Sequence, residues 1–247
     1  MARVVPELSH VAENTIKATV LVEAGGGFGS GFLVHADGLV VTACHVLDGA
    51  EGIAKQAMIR LNDGRESVAS LVRAHRPLDF ALLWIDKPDT YPVLPVGDAR
   101  KTRYAESVLA VGHPGVSDGF GNVRALRNTV SSGIVANPNC TERGVDWIQM
   151  TTDIDPGNSG GPLVNNHGEV IGVNCWKFTS VAAAKMALPI DYLREDLSAA
   201  ISRGREGHRS GRVCAVCGWF EDQPSLWFCP TCGATDTAAS DASGKEI

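Results

Sequence analysis

Short apolar runs broken by glycine-bearing turns recur from about residue 18 to about residue 200, and no other feature narrows the fold as far. FLVHADGLVVTACHVL is two apolar runs joined at Ala36-Asp37-Gly38, a turn whose Asp-Gly pair favours a tight hairpin. MIRLNDGRESVASLVRAH repeats the pattern around Asn62-Asp63-Gly64, and DFALLWID is a continuous run suited to a buried strand. SVLAVGHPG, NTVSSGIVA and DWIQMTTD follow, and PLVNNHGEVIGVNCW forms a further hairpin pattern at Asn166-His167-Gly168. Short strands spaced by roughly 8–12 residues predict an all-β barrel or sandwich. They fall into two sets, before and after about residue 100, which fits two small antiparallel barrels with a cleft between them.

Only two segments carry helical spacing. Residues 6–17 are polar-amphipathic after Pro6, and residues 190–203 place Leu193, Leu197 and Ile201 four apart. RGREGHRSGR, residues 203–212, is polar, basic and Gly-rich and predicts a flexible linker; a patch for nucleic acid or an acidic partner is the other reading. A chain of 247 residues, 44% hydrophobic, has material for one or two cores and a small appendage. Its net charge of −6 provides no global attraction for nucleic acid or an anionic membrane. No apolar run approaches the roughly 20 residues of a membrane helix. The first 17 residues lack the apolar block of a secretory signal, so a cytoplasmic location is expected. Of the seven cysteines, Cys44, Cys140 and Cys175 are scattered and four cluster between 214 and 232; an odd total argues against a disulfide framework.

The stretch TDIDPGNSGGPL, Thr152–Leu163, sets Ser159 among glycines that let backbone N–H groups converge on one point. A serine hydroxyl is a poor nucleophile without a base, and the base needs an orienting acceptor. His45 stands at the end of the apolar run LVVTACHV, and Asp79 opens DFALLWI. Taken singly, each has a plain structural use, as a core histidine, a strand cap or a Gly-rich turn. In combination the order is His, then Asp 34 residues on, then Ser 80 residues further, with His and Asp in the first strand set and Ser in the second.

TACHVL, DFALLWI and PGNSGGPL resemble the three signature segments of chymotrypsin-fold serine proteases, specifically the HtrA/Deg branch, over about residues 15–195. The resemblance implies two six-stranded antiparallel barrels, about 15–100 and 101–195, with a C-terminal helix, in a protease domain of residues 1–202. It implies His45 as general base, Asp79 as the acceptor that holds its tautomer, and Ser159 as nucleophile. The N–H groups of Gly157 and Ser159 would form the oxyanion hole. The implied activity is an ATP-independent serine endopeptidase acting on protein or peptide substrates without a catalytic cofactor, in a chain able to form homo-oligomers. The alternative is a catalytically silent or latent fold used as a scaffold or sensor. Asn158 stands where digestive proteases have an aspartate that pairs with a new N-terminus, so activation by N-terminal processing is not expected. Asp153, Asp155, Asn174 and Cys175 are placed at the primary substrate pocket. The two acids leave cleavage after basic residues open beside the small aliphatic preference of the branch. Cys44, next to His45, reads as a small buried residue, with redox sensitivity as the other possibility.

HtrA proteases continue into a PDZ domain; this sequence has CAVCGWFEDQPSLWFCPTCG instead. Two Cys-x-x-Cys-Gly pairs, Cys214/Cys217 and Cys229/Cys232, match the ligand spacing of a tetrahedral ion. Four thiolates suit structural Zn²⁺, with iron as the alternative. The expected module is a zinc ribbon at residues 213–235, followed by a disordered tail at 236–247. Trp219, Phe220, Trp227 and Phe228 would form its miniature core or a docking patch for a protein partner.

Overall fold

A computed structural model of the chain describes residues 7–117, 123–142, 144–175, 185–209 and 212–221, together with 229, 231, 232 and 234. Helix α1, Leu8–Ala18, buries Val11, Thr15 and Ala18 on one face and runs straight into the first strand. The Thr15 and Thr19 hydroxyls bond back to the carbonyls of Val11 and Thr15, both at 2.8 Å, so two threonines are buried with partners.

Strands β1 (Thr19–Ala24), β2 (Gly27–His35), β3 (Leu39–Thr42), β4 (Gln56–Arg60), β5 (Glu66–His75) and β6 (Phe80–Ile85) close the first barrel in the order β1-β2-β3-β6-β5-β4. Every residue of β3 and β6 is buried, as their unbroken apolar runs require. Strands β7 (Ser107–Gly112), β8 (Thr129–Glu142), β9 (Val145–Met150), β10 (Pro162–Asn165), β11 (Val170–Cys175) and β12 (Lys185–Pro189) close the second in the order β8-β9-β12-β11-β10-β7. β8 turns the corner of this barrel: its first half pairs with β7, its second half with β9, and two register shifts lie in the β9 pairing. The all-β, two-barrel, chymotrypsin-like architecture implied by the motifs is present.

Phe32, Leu33, Ile59, Leu82 and Ile148 are among the largest fully buried side chains, so truncating any one to alanine costs about 2–5 kcal/mol. After β12 the chain passes through a 3₁₀ turn at Ile190–Leu193 into α2, Arg194–Arg209, which is broken at Gly204 (φ 65°). Residues 203–209, expected as flexible linker, are therefore helical: beyond the Gly204 break the backbone resumes its turns, and Arg205 caps the Asp37 carbonyl. The buried stripe also differs by one position. Ala200 follows Leu193 and Leu197 inward, while Ile201 is exposed, because a helix turns 3.6 rather than 4 residues per turn. The segment that carries Cys214 and Cys217 forms a two-residue hairpin, Arg212–Val213 against Phe220–Glu221. Residues 235–247, and with them the expected tail, lie outside the described residues, as do Trp227 and Phe228. Among the described residues no helix is long and apolar enough to cross a membrane.

Candidate active site

β3 ends at Thr42 and passes into a 3₁₀ turn, Cys44–Leu47, that presents the His45 ring at the barrel mouth. β6 begins at Phe80, and Asp79 before it has a positive φ of 59°, a conformation costly for a residue with a Cβ and tolerated best by Asp and Asn. That twist aims both halves of Asp79 at the His45 turn. Its carbonyl accepts the Cys44 N–H at 3.2 Å, and Oδ1 accepts the His45 N–H at 2.9 Å. Oδ2 lies 2.7 Å from the ring Nδ1. A carboxylate only accepts, so Nδ1 carries the proton and Nε2 of the neutral ring keeps its lone pair for base chemistry. Asp79 is nearly fully buried, whereas the His45 side chain is 29% exposed and open to a substrate.

The segment from Asp155 to Gly161 belongs to the second barrel but is built against the first. The Asn158 N–H closes a turn on the Asp155 carbonyl at 3.0 Å, and Gly160 donates to the Asn174 carbonyl at 2.9 Å. A Cβ on Gly160 would lie 2.2 Å from the Ser30 carbonyl oxygen and 2.6 Å from the Ala43 nitrogen, so only glycine lets the loop approach this closely. Ala43 is two residues before His45, and the Ser159 carbonyl accepts the Ser30 N–H at 2.9 Å. Buried Ser159 thereby belongs to a loop seated against the end of the strand that leads into His45.

Gly157 has φ 98°, and a Cβ there would meet the His113 carbonyl oxygen at 2.5 Å. Its own carbonyl is held inward by the Ser30 hydroxyl at 2.7 Å, and the preceding Pro156 carbonyl accepts the Gly115 N–H at 2.7 Å. The 156–157 peptide is trans, so the Gly157 N–H points away from Gly115. The signal for Ser30 in the sequence is a lone serine at an inward position of the strand GFGSGF. Its hydroxyl also accepts the His113 N–H at 2.8 Å, which joins the two barrels behind the serine loop. The His113 ring is fully buried and accepts the Asn128 N–H at Nδ1, 3.1 Å. Burial, helped by the nearby Arg127 charge, pushes its pKa down to about 4.

The residues expected at the primary pocket divide between exposed and buried positions. Asp153 is exposed and paired with Lys185, and its N–H bonds the Ser131 hydroxyl at 2.6 Å; Asp155 is exposed too. Thr152 and Ile154, the alternate positions, point inward. Asn174 is fully buried behind the serine loop, with Nδ2 on the Pro162 carbonyl at 3.1 Å. Cys175 is buried, with its thiol 3.6 Å from Asp79 Oδ2. Of the four residues expected at the pocket, Asp153 and Asp155 are thus exposed to solvent, and Asn174 and Cys175 are buried at the end of β11, the latter against Asp79. Cys44 is buried, as its reading as a small core residue expects.

The four clustered cysteines do come together. The Sγ atoms of Cys214, Cys217, Cys229 and Cys232 all lie within 4.8 Å of one another, with 3.7 Å between Cys214 and Cys232 and 3.6 Å between Cys217 and Cys229. A tetrahedral ion with metal–sulfur bonds of about 2.3 Å has sulfur–sulfur edges of about 3.8 Å, so the cage is the right size for one ion. Gly218, at φ 76°, follows the first pair, and the Trp219 N–H is turned to the Cys217 sulfur; the Thr231 and Cys232 N–H groups serve Cys229 likewise.

Two closed barrels with a His–Asp pair and a Gly-framed serine at their junction define a trypsin-like peptidase fold, and the chain belongs to the trypsin-like peptidase domain family, whose profile matches residues 29–173. Its relatives within that family are of the HtrA type. It is 40% identical over 189 residues to a Halomonas elongata protein named "Probable periplasmic serine endoprotease DegP-like", covering 71% of this chain and 36% of that one. It is 38% identical over 209 residues to "Serine protease HTRA2, mitochondrial" of Bos taurus, covering 77% and 42%. Among solved structures it is similar to the HtrA-type protease AlgW with tripeptide, with a TM-score of 0.65 and 28% identity, covering 84% of this chain and 67% of that one. The chain thus spans 36% and 42% of the length of the two curated relatives.

Proposed function

We propose that the chain is a serine endopeptidase that hydrolyses peptide bonds in protein substrates through an acyl-enzyme. The observation that carries this reading is the double hydrogen bond from Asp79 to the ring and backbone of His45, on the strand end where the Ser159 loop is seated. In this mechanism Ser159 Oγ attacks the scissile carbonyl carbon as its proton passes to His45 Nε2. Asp79 holds the ring's tautomer and stabilises the imidazolium. The Gly157 and Ser159 N–H groups stabilise the charge that develops on the carbonyl oxygen, a contribution of about 10²–10³ in rate per donor. His45 then protonates the leaving amine, and water attacks the ester by the same route in reverse. No residue of this cycle needs a cofactor.

With Asp153 paired to Lys185 and facing outward, the reading is of an uncharged primary pocket rather than one that selects Arg or Lys. The four-cysteine cage is read as a structural zinc site, since four thiolates leave no open position for chemistry. Thiol-rich composition without a disulfide among the described residues fits a reducing, cytoplasmic setting. The test is exposure of the full chain to a fluorophosphonate followed by intact mass measurement. One adduct per chain, absent from Ser159→Ala, is the expected result; an unmodified wild-type chain identifies the silent or latent alternative.

A further inference from the structure

The first Cys-x-x-Cys turn is wedged between the two segments that deliver His45 and Asp79. On the His45 side, the 3₁₀ turn runs into a small hairpin, Asp48–Gly49 against Gly52–Ile53, and the Ile53 N–H donates to the Ala215 carbonyl at 3.0 Å. On the Asp79 side, Ala74 donates to the Gly218 carbonyl at 3.1 Å, and Arg73 Nη1 donates to the same oxygen at 3.2 Å. Arg76, whose carbonyl accepts the Asp79 N–H at 3.2 Å, places Nε 2.6 Å from the Val216 carbonyl. The same guanidinium reaches Asp48 at 2.9 Å, tying the two segments together across the knuckle. Three carbonyls of one turn, at 215, 216 and 218, therefore hold both arms of the His–Asp pair.

The fit is close. A Cβ on Gly218 would lie 2.4 Å from both Cβ and O of Ala74. Trp219 packs under the Arg73 guanidinium at 5.1 Å, and Phe220 under Arg203 at 5.2 Å, so these two aromatics tie the four-cysteine segment to the protease barrel and α2. The ribbon itself has two-residue strands and depends on its ion to hold the turn shut, with the Gly218 N–H on the Cys214 carbonyl at 2.9 Å.

We propose that the metal-loaded knuckle is a clamp on the base half of the active site, so that binding of a thiolate-seeking divalent ion by Cys214, Cys217, Cys229 and Cys232 fixes the positions of His45 and Asp79. This rests on the reading of the cage as a zinc site and of Ser159 as nucleophile. Loss of the ion opens the turn, withdraws the three carbonyls and releases residues 44–54 and 73–79.

The test uses the full chain, with metal content measured by atomic emission, in wild type, Cys229→Ser and Gly218→Val. Cys229 belongs to the second Cys-x-x-Cys pair, outside the turn whose carbonyls at 215, 216 and 218 hold the arms, and Gly218→Val keeps all four thiols while removing the seat. Amide hydrogen exchange at Ile53 and Ala74 and the fluorophosphonate labelling rate of Ser159 are read together, with Val164 and Ile171 of the second barrel as internal reference. In Cys229→Ser the ion is lost, exchange at Ile53 and Ala74 quickens at least ~10-fold, labelling slows by a similar factor, and the second barrel stays protected. Gly218→Val shows the same two changes with its ion retained. Wild-type protection and labelling in metal-free protein overturn the clamp, as does loss of protection throughout both barrels. If loaded wild type takes no label, the protease reading fails, and exchange at Ile53 and Ala74 still decides the clamp.

Discussion

In the first barrel the site is held chiefly by side chains, and in the second chiefly by backbone. Asp79 grips His45 with both carboxylate oxygens, its carbonyl takes the Cys44 N–H, and the Cys175 thiol lies against the same carboxylate. The Ser159 loop has one side-chain contact of this kind, the Ser30 hydroxyl on the Gly157 carbonyl at 2.7 Å, and is otherwise positioned by carbonyls and N–H groups from Ser30, Gly115 and Asn174, and by glycines at 157 and 160 that let two backbones nearly touch. A side-chain scaffold fixes one proton in one place, which is what a base requires. A backbone scaffold leaves N–H groups in a concave turn for an oxyanion, and it fails through a single methyl group rather than a lost charge.

The comparison can be broken from either side. Asp79→Asn keeps the shape of the grip but offers an amide where an acceptor is needed; kcat is expected to fall about 10⁴-fold with the fold intact. A fall under 10-fold on an ester substrate would show that the carboxylate does not orient the base. Gly157→Val attacks the other half. Its side chain cannot occupy a position 2.5 Å from the His113 oxygen at φ 98°, so the loop shifts and activity drops by about 10²–10³. Retention of wild-type kcat with normal folding would contradict the backbone account.

Behind the loop, His113 sharpens the picture through pH. Its pKa in the fold, about 4, lies below its ordinary 6.5, so the unfolded chain takes up the proton first as pH falls. The contribution to stability is complete above pH 6.5 and is lost on descent towards 4, on the order of 3 kcal/mol. Urea unfolding at pH 7 and pH 4.5 should show a steeper loss in wild type than in His113→Asn. Equal losses would remove His113 from the junction. The smallest effect is expected at Asp153→Asn, where preference among Arg, Lys and Ala substrates should change by less than about 3-fold, because the Lys185 pair is exposed and worth little. Loss of cleavage after Arg in that variant would return the acid to the pocket.

The hairpin signals at Asp37-Gly38 and Asp63-Gly64 make the strands of both barrels legible in the sequence, because turn chemistry and strand periodicity are local, and the three motifs mark the segments that carry His45, Asp79 and Ser159. The four cysteines were legible for the same reason. The pocket was not. Which of Asp153 and Ile154 points inward depends on how the loop pairs, through the Asp153 N–H on Ser131 and its carboxylate on Lys185, and those partners are 22 and 32 residues away. The roles of Ser30 and His113 are not legible in the sequence because they exist only where the two barrels meet. The helical 203–209 segment was hidden by its glycines and basic residues, whose composition resembles a linker.

The most direct measurement is a stopped-flow burst with a chromogenic ester, comparing the full chain with Ser159→Ala. A burst of one product per chain in wild type, and none in the variant, is the result predicted for a serine acylated at the junction of the two barrels. Linear turnover without a burst that persists in Ser159→Ala would contradict it.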